Sequence, residues 1–183
     1  MNTATAATPT ETRAGGHIHI ELLALDLDSC TRCVGSLDNI ELAIEHVRPL
    51  LQVLGKAVSF DRVVIESEAQ AQQYHFRSSP TVRINGRNIA LTSKESVCDS
   101  CSELCGCEGG TQCQVWEYSG QEYTEAPVQL LVEALLRAIV ADQAPATVDD
   151  SGNEPLPQNL QRFFQSTTAA EGESHGCCTS DVQ

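Results

Sequence analysis

The pattern of apolar and polar positions predicts alternating strands and helices over the first part of the chain. Residues 17–25 alternate at first and then become continuously apolar, which is typical of a central strand covered on both faces. From Ser36 to Leu54, apolar residues recur at steps of three and four, which predicts one face of a helix that Gly55 can end. A second β-prone run over residues 57–65 predicts another strand. Because a helix separates the two strands, we expect them to be parallel and joined by a right-handed crossover.

Two short β-prone runs on either side of Asn85-Gly86 predict a hairpin, because a type I′ turn requires positive φ at both central residues. If the first strand of this hairpin runs antiparallel to residues 17–25, Pro80 begins it at the sheet end where residues 17–25 finish. The chain then returns to that same end after Leu91. We therefore expect the segment after Leu91 to lie beside whatever follows the first strand.

Later elements complete the predicted domain. Residues 114–125 suit a second small hairpin about Ser119-Gly120, and the apolar spacing of residues 128–139 predicts a closing amphipathic helix. The predicted domain therefore spans residues 17–140 and carries a cysteine-rich insertion over residues 92–125.

The two ends of the chain lack a period of either strand or helix. Residues 1–16 are rich in Thr and Ala, and residues 141–183 are rich in Pro, Asp, Gln, Ser and Thr. We expect the first to be a disordered tail and the second to be mostly disordered, with one amphipathic turn at Leu160, Phe163 and Phe164.

Charge narrows the range of partners. The chain has 25 acidic and 11 basic side chains among 183 residues, a formal charge of −14 that repels phosphate backbones and anionic lipid. Its first residues contain no apolar signal-peptide core, and we find no uncharged apolar run of about 18 residues. We therefore expect a cytoplasmic protein that neither binds nucleic acid nor inserts into a membrane.

The nine cysteines are the feature of the sequence that indicates a chemical function. Cys30 and Cys33 form a CxxC at the predicted strand-to-helix junction, where backbone N–H groups and the helix dipole favour thiolate over thiol. This makes Cys30 a candidate nucleophile and Cys33 its resolving partner. In a reducing compartment an odd number of cysteines favours metal binding or redox chemistry over a disulfide framework.

The other seven cysteines fall in two groups. Five of them lie within sixteen residues of the insertion, which has too few apolar residues to form a core of its own, so its order requires crosslinks or a bound ion. The last two form a vicinal pair near the end of the chain. The candidate ligands of a soft ion are therefore Cys30, Cys33, Cys98, Cys101, Cys105, Cys107, Cys113, Cys177 and Cys178.

The order of strand, CxxC, helix, strand, Ser-Pro-Thr hairpin and helix resembles the thioredoxin fold, an α/β three-layer sandwich, over residues 17–140 without the insertion. The resemblance implies that the Ser79-Pro80 peptide is cis and that Pro80 lies against the CxxC. The combined motifs DxDxCxRC, SSPTxxxNG and CxxCxxxCxC are similar to those of a small bacterial family of undefined function whose members tend to occur near arsenic and mercury resistance genes. The chain differs from thioredoxin itself in having Thr31-Arg32 between the cysteines and no Trp before them.

Three functions fit these features. The first is binding or transfer of soft thiophilic ions, such as arsenite or mercuric ion, in detoxification, because soft thiolate ligands select soft ions. The second is thiol–disulfide exchange with a redox partner protein, in which Cys30 attacks, Cys33 resolves and Pro80 shapes the substrate groove. The third is a structural zinc site made by four of the five insertion cysteines.

Overall fold

The structure is a computed structural model that describes residues 16–90, 92–107, 109–141 and 155–172. Residues 17–140 form a mixed α/β arrangement of sheet and helices, as the sequence predicts at this level. The elements are, in chain order, β1 (His17–Ala24), α1 (Thr31–Val53), β2 (Ala57–Val64), α2 (Glu68–Gln73), β3 (Thr81–Ile84), β4 (Arg87–Asn88), β5 (Glu95–Cys98), α3 (Asp99–Cys105), β6 (Thr111–Gln114), β7 (Trp116–Tyr118), β8 (Gln121–Tyr123), α4 (Val128–Val140) and α5 (Gln158–Gly172).

A four-stranded sheet in the order β2-β1-β3-β4 carries the fold. β1 and β2 are parallel, with His17 opposite Ala57, whereas β3 is antiparallel to both β1 and β4. Asn85 and Gly86 have φ values of 51° and 78° between β3 and β4, so the predicted hairpin turn is confirmed. The parallel pair that we expected from the strand–helix–strand order is confirmed as well.

Helices α1 and α4 pack together and against the sheet to form the larger of the two apolar clusters found in the described parts of the chain. Their contact surfaces come from the three-and-four spacing that the sequence shows, which places the apolar side chains of each helix on one face. The most buried members of this cluster include Ile20, Leu22, Ile40, Val82, Trp116, Leu131 and Leu135. This packing fixes the start of α1 relative to the sheet, and with it the CxxC.

The insertion is more regular than its sequence indicates. β5 and β6 form an antiparallel pair with the short helix α3 between them, and Ser96 lies opposite Cys113. The predicted hairpin about Ser119-Gly120 is confirmed as the pair β7 and β8. Backbone pairing and α3 therefore order a segment for which we expected order only from crosslinks or an ion.

Two boundaries differ from the sequence analysis. α1 begins at Thr31, five residues before the periodic region that starts at Ser36, and its first turn carries the buried Cys33 between the half-buried Arg32 and Val34. Residues 158–172, which we assigned to a mostly disordered tail, form helix α5, whose first half is packed against the domain. The rest of both predicted tails, at residues 1–15, 142–154 and 173–183, lies outside the described residues.

Within the part of the chain that the structure describes, no helix combines the length and the apolar character needed to cross a membrane.

Candidate thiolate site

Cysteines from distant parts of the chain meet at one end of the sheet. The register of β1 against β3, with Leu23 opposite Thr81, brings the end of β1 and the start of β3 together, and the insertion returns to this end after β4. The convergence that we expected from topology is confirmed. Five cysteines are free thiols here, each 0 to 1 % exposed: Cys30, Cys33, Cys98, Cys101 and Cys113.

Three of these sulfur atoms form a compact triangle. The Cys30 Sγ lies 3.9 Å from the Cys98 Sγ and 3.5 Å from the Cys101 Sγ, and the three sulfur atoms all lie within 4.8 Å of one another. A disulfide would bring two sulfur atoms to about 2.05 Å. Four sulfur atoms about 2.3 Å from a tetrahedral metal ion are about 3.8 Å apart. The triangle therefore has the spacing of thiolates that share an ion.

The loop between β1 and α1 is held by one carboxylate. The Asp26 side chain accepts hydrogen bonds from the backbone N–H groups of Asp28 at 2.9 Å, Ser29 at 3.0 Å and Cys30 at 2.7 Å, and from the Ser29 hydroxyl at 2.5 Å. Burial raises the pKa of Asp26, but these hydrogen bonds outweigh burial and lower it overall. The turn therefore favours the ionised carboxylate, whose hydrogen bond to the Cys30 backbone N–H helps to set the position of Cys30.

The hydroxyl of Ser79 connects β1, β3 and the CxxC. Ser79 Oγ accepts a hydrogen bond from the backbone N–H of Leu25 at 3.1 Å, and it lies 3.5 Å from the Cys33 Sγ. Since the hydroxyl is already an acceptor, its own proton is available to Cys33. Hydrogen bonds from Cys101, Cys30 and Ser79 lower the pKa of Cys33 to about 4, although burial opposes the shift.

Protonation is uneven across the five thiols. Hydrogen bonds, chiefly from Cys101, also lower the pKa of Cys98. Hydrogen bonding to Cys113 and the other thiols raises the pKa of Cys101. At Cys30 and Cys113 the hydrogen bond with Cys101 lowers the pKa, but the remaining thiol contacts and burial outweigh it, so both pKa values are raised. These shifts favour the thiolate form at Cys33 and Cys98 over the thiolate form at the other three cysteines.

The remaining predicted site residues lie outside the triangle. Cys105 and Cys107 are joined to each other in a disulfide, so in this state neither is a thiolate ligand. Their proximity in the chain, with Gly106 at positive φ between them, closes this short loop at the end of α3. Pro80 is buried at the start of β3, and the Ser79-Pro80 peptide is cis, as the resemblance implied. Cys177 and Cys178 lie outside the described residues.

An apolar shell surrounds the thiols, and part of it comes from a segment that the sequence analysis did not assign to the site. Six residues of the shell belong to the domain: Leu23, Ala24, Leu25, Ile65, Ala71 and Phe76. Four more lie in the first half of α5 or just before it: Leu156, Leu160, Phe163 and Phe164, each 0 to 6 % exposed. The amphipathic turn at Leu160, Phe163 and Phe164 was the only feature in the sequence that could have indicated this packing.

Comparison with known proteins identifies a family. Searches of curated proteins and of solved structures found no match to the chain. A family model described as a domain of unknown function (DUF2703) matches residues 18–135, which include the CxxC, β3 and the whole insertion. The match ends before α5, so the helix over the thiols lies outside the shared region. Because the match covers more than half of the chain, the protein belongs to the DUF2703 family.

Proposed function

We propose that the protein binds a soft thiophilic ion, arsenite or mercuric ion, through Cys30, Cys98 and Cys101. The observation that carries this proposal is the triangle of three buried sulfur atoms, all within 4.8 Å of one another. Soft thiolate ligands select soft ions, and trivalent arsenic takes three of them while mercuric ion takes two or three. The role we infer is binding or transfer of such an ion in detoxification, with the ion as cargo.

The surroundings of the triangle support a soft ion over a hard one. Among the described residues, the group of possible ligand atoms at this site consists of three cysteines and includes no carboxylate of the kind that calcium or magnesium ions require. Hydrogen bonds lower the pKa of Cys98, which favours the thiolate that would form the first bond to the ion. Cys33 and Cys113 lie in the same buried cluster, where their thiolates can act as further ligands and offset the positive charge of a bound ion.

We further infer that the fold is a thioredoxin-like one with an added thiol-bearing insertion. Support comes from the parallel pair β1 and β2, the antiparallel pair β1 and β3, the CxxC at the start of α1 and the cis Ser79-Pro80 peptide. In this arrangement the insertion covers the face of the CxxC that a protein disulfide would approach.

The second candidate function is thiol–disulfide exchange. It is favoured by the CxxC at a helix start. The lowered pKa, about 4, belongs to Cys33, the predicted resolving cysteine, whereas the pKa of Cys30, the predicted nucleophile, is raised by its other thiol contacts and by burial. Cys30 is also 0 % exposed and lies between two insertion thiols, so attack on a protein disulfide requires the insertion to move. For these reasons we place exchange second.

Native mass spectrometry under reducing and anaerobic conditions tests the proposal. The protein is weighed as isolated, and again after one equivalent of arsenite or mercuric ion. We expect one bound ion, and we expect Cys30→Ser and Cys98→Ser each to weaken binding by at least about 100-fold, because even outer-shell changes cost 10- to 100-fold. The double variant Cys105→Ser/Cys107→Ser is the matched control, since it removes two cysteines outside the triangle and should bind like wild type.

Three results would contradict the proposed binding or transfer of a soft ion. Tightly held zinc in the isolated protein would indicate a structural zinc site that uses Cys30 together with the insertion. Reduction of insulin disulfides that is lost in Cys30→Ser would indicate an oxidoreductase. Equal binding of arsenite by wild type and Cys30→Ser would show that the triangle is not the ion site.

A further inference from the structure

The side chain of Arg32 reaches from the CxxC to the insertion. One guanidinium nitrogen, Nη1, donates to the Ser96 hydroxyl at 3.0 Å and lies 3.4 Å from the Ser96 carbonyl oxygen. The other, Nη2, donates to the Val97 carbonyl oxygen at 2.6 Å. Arg32 itself is half-buried. The two residues that it holds directly precede Cys98 in β5.

This contact joins the two parts of the ion site. Arg32 lies two residues after Cys30 in the first turn of α1, and its partners lie one and two residues before Cys98. The sulfur atoms of Cys30 and Cys98 are 3.9 Å apart although 68 residues separate them in the chain. An arginine that binds both Ser96 and Val97 therefore restricts the sliding of β5 along α1.

We propose that Arg32 is a positioning residue that holds Cys98 within bonding reach of the ion carried by Cys30. This inference rests on the proposed function for its consequence, whereas the contact itself involves protein atoms alone. The alternative is that Arg32 acts only by its positive charge, which would stabilise nearby thiolates. The two roles differ in chemistry, because a lysine keeps the charge but lacks the planar fork that binds two acceptors at fixed spacing.

The test compares Arg32→Lys with Arg32→Gln. The control is Arg48→Lys, an equivalent change at an exposed arginine further along the same helix. Ion-free protein is treated briefly with diamide, which takes two electrons and two protons from a pair of thiols as their disulfide forms. Peptide mapping then measures two amounts. The first is the amount of disulfide that joins Cys30 with Cys98 or with Cys101, and the second is the amount of the Cys30–Cys33 disulfide. The readout is the first amount divided by the second.

We expect both Arg32 variants to lower this ratio by about tenfold, which corresponds to about 1.4 kcal/mol, and Arg48→Lys to leave it unchanged. In the ion-bound state, we expect both to weaken the ultraviolet charge-transfer band of a three-thiolate mercuric complex. Circular dichroism is recorded for each variant, and Arg32→Lys serves if Arg32→Gln fails to fold.

The outcomes separate the two proposals. If Arg32→Lys keeps the wild-type ratio while Arg32→Gln loses it, the role is that of charge, and positioning is disproved. If both variants keep the wild-type ratio, Arg32 does not position Cys98. If the ratio falls as expected but wild type binds no ion, the positioning role stands and the proposed function fails.

Discussion

At the scale of single residues, the site depends on two polar side chains that accept hydrogen bonds from the backbone. Ser79 accepts from the Leu25 backbone, which leaves its proton for Cys33, and Asp26 gathers the backbone N–H groups that precede α1. The sequence analysis identified the cysteines and Pro80 but assigned no role to Ser79. Such a role depends on which atoms face each other after folding. A single serine next to a proline forms no repeating pattern in the sequence, so the sequence gives no sign of this role.

The first prediction concerns Asp26→Asn. An amide offers one oxygen where the carboxylate uses two, so we expect the variant to lose about 1–2 kcal/mol of unfolding free energy near neutral pH. Because folding lowers the pKa of Asp26, its contribution is fully present above the usual carboxyl pKa and is lost as the pH falls through the lowered value. The difference between wild type and variant should therefore shrink in acid, as measured by urea unfolding at several pH values.

Asp28→Asn is the control for this prediction, because Asp28 lies in the same loop and its side chain is exposed. Its unfolding free energy should stay within about 0.5 kcal/mol of wild type, as is usual for surface changes. A constant difference between Asp26→Asn and wild type at all pH values would show that the charge of Asp26 is not what holds the turn.

At the scale of elements, the length of the periodic pattern decided what could be predicted. α1 and α4 and the hairpin about Asn85 were predictable, because each shows either several turns of apolar spacing or a turn sequence with one main solution. α3 has seven residues, too few for its spacing to stand out, yet that spacing buries Cys101 and Cys105 on one face. α5 was missed because one apolar turn is too short to predict a helix by itself, and this helix is stabilised by packing against other elements of the fold.

The second prediction is that α5 limits access to the thiols. Leu160 is 0 % exposed and packs in the same cluster as the five free cysteines. Truncation to alanine leaves a cavity and typically costs about 2–5 kcal/mol, part of which should appear as weaker docking of the helix. We therefore expect Leu160→Ala to raise the rate at which an aromatic disulfide reagent modifies the buried thiols of ion-free protein by at least about tenfold.

Gln158→Ala is the matched control, since Gln158 is exposed on the same helix. It should react at the wild-type rate. If Leu160→Ala lowers the melting temperature but its folded thiols react no faster than those of wild type, α5 stabilises the fold without covering the site.

At the scale of the whole molecule, nearly all buried apolar side chains of the described residues fall in two clusters with different roles. One joins the sheet to α1 and α4, and the other surrounds the thiols, while Leu27 packs against both. The convergence of the CxxC and the insertion was predictable, because an antiparallel β3 and its hairpin leave the chain only one end of the sheet to return to. The choice of Cys98 and Cys101 over Cys105 and Cys107 was not, because it depends on the β5–β6 register and on the winding of α3.

The third prediction follows from this division. An ion held by Cys30, Cys98 and Cys101 binds only when the thiol cluster is closed, so it should suppress openings that separate the insertion from α1. At 100 times the dissociation constant, the added protection is about 2.7 kcal/mol, which slows amide hydrogen exchange through such openings by about 100-fold. We expect this slowing in the first turns of α1 as well as in β5, α3 and β6, and little change in local openings at β4 and at the end of α4, which belong to the opposite end of the sheet.

Hydrogen exchange with mass spectrometry, with and without saturating arsenite, measures this contrast peptide by peptide. Cys30→Ser provides the control, because removal of one ligand should abolish the difference while leaving the larger apolar cluster intact. Equal slowing at both ends would mean that the ion stabilises only the global fold. Slowing confined to the insertion and absent from α1 would mean that the ion is held by insertion cysteines alone, and that Cys30 is not a ligand.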